Sequence, residues 1–120
     1  MAWIKVIDYD NADTKLKKVY DKVRGANGQI DNVLAIHSLR PHSLVGHMAL
    51  YKNVLHNSNN TLPKWYLETI GVLVSFLNQC DYCVDHHFEG LKRLLKNDVR
   101  ADEIQQGIKN NTYHDLFDNH

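Results

Sequence analysis

The chain has 120 residues, enough for one compact domain or one protomer of an assembly, and at this size about a third of the surface of the unfolded form stays in water. Fourteen Lys and Arg balance fourteen Asp and Glu, so with neutral histidines the formal net charge is zero. That balance argues against electrostatically driven nucleic-acid binding, which needs an excess of cations on one face, and it leaves little repulsion to oppose self-association.

The opening segment, MAWIKVIDYD, lacks the apolar stretch of a secretory signal, and the longest apolar run, Ile70 to Leu77, is too short to span a bilayer. A soluble, cytoplasmic protein is expected. In a reducing cytosol a C-x-x-C pair suits catalysis, redox sensing or metal binding better than a permanent staple.

In chain order, Trp3 to Ile7 alternates apolar and polar residues and could form an edge strand or an extended arm. From residue 13 the apolar spacing becomes helical. Asp13 caps a first helix carrying Leu16, Val19, Tyr20 and Val23, with Gly25 just past its end. G-A-N-G-Q is a loop, and Asp31 opens a short apolar segment from Val33 to Leu39 that Pro41 interrupts. Pro41 suits the first turn of a helix whose apolar side holds Leu44, Val45, Met48, Tyr51, Val54 and Leu55. H-N-S-N-N, His56 to Asn60, is a polar break. Thr61 and Pro63 start the next helix, which runs through Trp65, Glu68 and Val72 to Leu77. Asn78 stops or caps it before a helix from about Cys80 to Lys96, and a shorter helix over 98–110 turns Ala101, Ile104 and Ile108 inward. The pattern predicts an all-α domain over 1–120, a bundle of about six helices.

The chemistry concentrates in N-Q-C-D-Y-C-V-D-H-H-F-E, residues 78–89, which holds both cysteines of the chain. A helix turns roughly 100° per residue, so Cys80, Cys83 and His87 share one side while His86 diverges. If Asn78 ends the preceding helix, both cysteines fall in the first turn of the next, where free N–H groups and the macrodipole favour thiolate. Asp81 opposes this, since a negative neighbour raises a thiol pKa. Glu68 is twelve residues before Cys80, about 18 Å along a continuous helix. A reversal near Asn78 would instead bring it opposite residues 86 to 90. There it could orient His86 or His87, and the histidine could deprotonate Cys83.

Other readings of the same residues stand beside this one. Cys80, Cys83 and His87 could bind zinc, although three ligands within two helical turns make a poor tetrahedron. The cysteines could be buried and inert. Glu68 could be a surface charge paired with Lys64, and His86 a structural or interface residue. His37, His42, His47 and His56 share no ligand spacing and read as ordinary, with His37 able to line a pocket. Trp65, Tyr66, Phe76 and Phe88 are most simply core or subunit-interface residues.

Glu68, Cys80, Cys83 and His87 together form E-x11-C-x-x-C-x3-H, which resembles the alkylhydroperoxidase D core of the carboxymuconolactone decarboxylase superfamily. The approach S-F-L-N-Q-C and the upstream N-V-L-A-I-H-S-L-R-P add to the likeness, which covers roughly residues 28–108. The resemblance implies an all-helical fold assembled as trimers or hexamers, and a thiol-dependent peroxidase needing no metal, haem or flavin. It makes Cys83 the peroxidatic cysteine and Cys80 the resolving one. Glu68 and His87 become a proton relay, and the reductant an external dithiol, for the best-known member a lipoylated protein. The decarboxylase branch generally lacks the paired cysteines. Tyr82 stands where the best-known member has a relay histidine; it donates a hydrogen bond but titrates near 10. Longer relatives continue with further helices beyond 101–109. A non-enzymatic redox sensor and a structural oligomeric module are the competing classes.

Overall fold

The computed structural model of the chain describes residues 2–116; Met1 and 117–120, the ends of the span expected as one domain, lie outside the described residues. Six α-helices and a final 3₁₀ turn follow one another, with no strand among the described residues. They are α1 (Thr14–Tyr20), α2 (Asn32–Ala35), α3 (Pro41–Leu55), α4 (Lys64–Leu77), α5 (Asp81–Leu95), α6 (Asp98–Lys109) and the turn Tyr113–Leu116. The chain divides into two compact units, up to Val54 and from Leu55 onward.

In the first unit Asp13 caps α1 by accepting from the Leu16 N–H at 2.8 Å. The helix stops at Tyr20, earlier than the apolar pattern predicts, and Val23 and Arg24 continue as hydrogen-bonded turns onto the Tyr20 carbonyl. Ala12, Leu16, Tyr20, Leu34 and Leu44 form the core. The buried Tyr20 hydroxyl donates to the Ile7 carbonyl at 2.7 Å, and the Ile7 N–H donates to Ser38 Oγ at 3.0 Å. Those bonds anchor Ile7; residues 3 and 4 form a bend, Trp3 and Ile4 are exposed, and no strand forms over 3–7. Of the apolar side expected for α3, Leu44 alone is fully buried. Met48 packs against the core, Tyr51 and Leu55 are half-buried, and Val45 and Val54 face solvent, as does Leu50 outside that side, because this small unit has one narrow seam to offer a helix that is apolar on more than one side.

The second unit is organised by the antiparallel pair α4 and α5, with α6 packed on both. Val72, Val84, Phe88, Leu91, Ala101, Ile104 and Ile108 make its core, with Trp65, Leu73, Leu95 and Tyr113 against it. The three inward residues expected on α6 are thus in place. Phe88 is core as expected and Trp65 borders it, whereas Phe76 is exposed. The helix expected to start at Thr61 and Pro63 begins at Lys64 with Pro63 at its N-cap, where a proline has no N–H to leave unpaired. Asn97 caps α6 by accepting from the Arg100 N–H at 3.0 Å.

Candidate active site

The reversal expected near Asn78 is a two-bond C-terminal cap. Asn78 is the C-cap of α4, and Gln79 takes a left-handed φ of 55°. The Gln79 N–H donates to the Phe76 carbonyl at 2.9 Å and the Cys80 N–H to the Ser75 carbonyl at 3.0 Å. This pattern satisfies two carbonyls that the end of a helix would otherwise leave unpaired. Cys80 then serves as N-cap of α5, its carbonyl accepting from the Val84 N–H at 2.9 Å. One residue therefore closes α4 and opens α5, which seats Cys80 and Cys83 in the first turn of α5.

Cys80 and Cys83 are joined as a disulfide with Cα atoms 5.3 Å apart, and both are half-buried. Their position beside the free N–H groups of α5 stabilises a thiolate once the bond is reduced. Asp81, in the same turn, opposes that effect. Further along α5, His87 sits four residues after Cys83, on the same face of the helix.

Across the hairpin Glu68 is 4 % exposed. Its Oε2 lies 2.8 Å from Nδ1 of His87. A carboxylate only accepts, so with Glu68 ionised Nδ1 carries a proton, and in the neutral imidazole Nε2 keeps its lone pair. That is the tautomer a general base requires. Surface pairing of Glu68 with Lys64 is excluded by this burial, and of the two candidate histidines the carboxylate takes His87. His86 instead stacks on Tyr82, ring centroids 6.0 Å apart, and meets the His87 ring edge-on at 6.4 Å.

Two glycines make the pairing possible. A Cβ on Gly71 of α4 would come within 2.6 Å of His87 Nδ1, and a Cβ on Gly90 of α5 within 3.0 Å of the Glu68 carboxyl carbon. Each helix is thus bare where the other inserts its polar side chain. Gln79 is equidistant in sequence from Glu68 and Gly90, and likewise from Gly71 and His87, so the turn alone sets this register. Glycine inside a helix costs about 1 kcal/mol relative to alanine, and that penalty at two helical positions was the available signal for this close approach. Ser75, buried on α4, donates to the Gly71 carbonyl at 2.6 Å and ties off the same face.

Sequence reasoning also passed over His56. Its Nε2 lies 4.0 Å from Oε1 of Glu68, on the carboxylate oxygen that His87 does not use. No spacing rule links residues 56 and 68, because a non-helical connection separates them. His37 belongs to a different cluster, within the first unit. There its Nδ1 and Ser43 Oγ are 2.8 Å apart while Ser43 donates to the Arg40 carbonyl, and its ring lies 5.2 Å from that of His47. Burial, and then His47, hold the His37 pKa below its ordinary value. Among the described residues no group of three or more His, Cys, Asp or Glu side chains converges as metal ligands.

The carboxymuconolactone decarboxylase family model matches residues 45–115, a span that contains Glu68, Cys80, Cys83 and His87. No curated protein and no solved structure matches the chain.

Proposed function

The chain belongs to the carboxymuconolactone decarboxylase family, and from that membership we propose that it is a thiol peroxidase and disulfide reductase of the alkylhydroperoxidase D type. The observation that carries the reading is the buried Glu68 carboxylate, 2.8 Å from His87 Nδ1, on the helix pair that bears the Cys80–Cys83 disulfide. A base that is oriented, shielded and one helical turn from a thiol is the arrangement needed to generate a nucleophilic thiolate.

In the proposed cycle His87 Nε2 takes the proton of Cys83. The thiolate attacks the terminal oxygen of a hydroperoxide, the O–O bond breaks, and the departing alkoxide takes the proton back from His87 to leave as alcohol. Cys83 is now a sulfenic acid. The Cys80 thiol attacks that sulfur, forming the disulfide and releasing water. An external dithiol, of which a lipoyl group is one form, then reduces the disulfide by two electrons through a mixed disulfide with Cys80. Tyr82 and His86 flank the pair as an aromatic step and take no proton in this scheme. The protein is further proposed to act in the cytoplasm as a homo-oligomer, a trimer or hexamer. The exposed Ile70, Val74 and Leu77 on α4 offer apolar surface to such an assembly.

The test is consumption of cumene hydroperoxide with dihydrolipoamide by wild type, Cys83→Ser and Cys80→Ser. Cys83→Ser should lose the first oxidation, whereas Cys80→Ser should accumulate one equivalent of sulfenic acid and stop. Equal single-turnover oxidation in both variants overturns the assignment of roles. Stoichiometric oxidation of wild type without turnover would make the protein a redox sensor instead.

A further inference from the structure

We propose that His56 is the solvent-side member of a three-group proton relay centred on Glu68, a positioning and proton-transfer residue that acts through Glu68 on His87. The proposal rests on the thiol-redox reading of the Cys80–Cys83 site.

The two oxygens of Glu68 face different imidazoles. Oε2 is hydrogen-bonded to His87 at 2.8 Å, and Oε1 is 4.0 Å from His56 Nε2, within ion-pair reach. Side-chain exposure rises from 5 % for Glu68 through 22 % for His87 to 35 % for His56. The buried carboxylate is therefore bracketed by the base that faces the cysteines and by a second imidazole that reaches water.

From α5 come His87 and, edge-on to it, His86. From α6 the core receives Ala101, Ile104 and Ile108, none of which titrates. The connection between α3 and α4 supplies His56.

The reductive half-reaction gives the relay its task. The external dithiol attacks as thiolate, so its two protons go to solvent as two electrons pass to the disulfide. The protons that Cys80 and Cys83 regain must come from solvent. Cys80 stands at the turn, but Cys83 has the shielded Glu68–His87 pair behind it. The route solvent, His56, Glu68, His87, Cys83 delivers its proton: with the Glu68 carboxyl protonated the imidazole carries its proton on Nε2, and as Glu68 protonates Nδ1 the Nε2 proton moves to the Cys83 sulfur.

Two measurements on the full chain test this. The first is the titration midpoint of the His87 imidazole, followed by NMR in the oxidised protein, in wild type, His56→Gln and His56→Lys. A cation at position 56 competes with His87 for the Glu68 charge, so the midpoint should be highest in His56→Gln and lowest in His56→Lys. Coincident midpoints overturn the coupling. The second is the rate at which dithiothreitol reduces the Cys80–Cys83 disulfide in dilute buffer. His56→Gln should slow it several-fold, and added imidazole should restore it where sodium chloride of equal ionic strength does not. A wild-type rate, or a loss that imidazole leaves untouched, overturns the relay. If wild type fails to consume hydroperoxide while the midpoint order and the rescue hold, the peroxidase reading falls and the relay stands.

Discussion

Gly71 and His87 face each other across the α4–α5 hairpin so closely that a Cβ at residue 71 would lie 2.6 Å from the imidazole Nδ1, the same atom that binds Glu68. The neighbour met there is the base of the proposed mechanism, and it cannot move without breaking its hydrogen bond.

Gly71→Ala should therefore lower single-turnover oxidation of the reduced cysteines about tenfold to a hundredfold, since an ångström of misplacement at a reacting group has effects of that order. Gly46 on α3 provides the contrast, because a Cβ there meets nothing within 4 Å. Gly46→Ala should leave oxidation unchanged and raise stability in urea by about 0.5–1 kcal/mol. Stopped-flow oxidation and denaturant melts on both variants check the pair.

Removing the base should cost both rate and stability. His87→Ala should slow thiolate formation about 10²–10⁴-fold, the usual contribution of a positioned base. It should also destabilise the fold by about 1–3 kcal/mol, because the buried Glu68 loses its partner. Glu68→Gln keeps the shape and a hydrogen-bond acceptor but not the charge, so its loss of rate should be the smaller one. Alkylation of the reduced protein by iodoacetamide near neutral pH reads the difference.

The turn itself is improvable. Gln79 holds a φ of 55°, a region in which a side chain costs roughly 1–2 kcal/mol and glycine almost nothing. Gln79→Gly should raise the urea midpoint of the oxidised protein, with Gln79→Val lowering it. A stability unchanged by both would mean that the two-bond cap does not hold this reversal.

His37 predicts a pH dependence of a different origin. Burial, and then His47, depress its pKa below the ordinary 6.5. In the window from the folded value up to 6.5, the unfolded chain binds more protons than the native one, so stability rises with pH there. Stability should fall as the pH is lowered through 6.5, and His37→Asn should flatten that slope. Urea melts between pH 5 and pH 7.5 (about one unit and more on either side of the ordinary histidine range) measure it.

The helices from α3 to α6, the reversal at Asn78 and the set Glu68, Cys80, Cys83 and His87 were legible in the chain because each depends on local rules. Helical periodicity puts Cys83 and His87 on one face, and a polar residue at the end of an apolar run breaks α4. Once the break is granted, antiparallel pairing carries residue 68 opposite residues 86 to 90. The weaker expectations fell where packing overrode local pattern. The alternation of Trp3 to Ile7 found no strand to pair with among the described residues, and Val45 and Val54 of the apolar side expected for α3 face solvent.

What the sequence determined by itself is thus an all-helical chain and the spacing of a thiol site, since both follow from the geometry of single helices. Only the tertiary structure showed the Glu68–His87 hydrogen bond and the burial of Glu68, exposed the reason for Gly71 and Gly90, and brought His56 to the far oxygen of the carboxylate. The physical reason is that an interhelical hydrogen bond depends on how closely two backbones approach. That distance is set by which residues lack a Cβ at the crossing and by the path of an irregular connection, and neither is written in the periodicity of either helix.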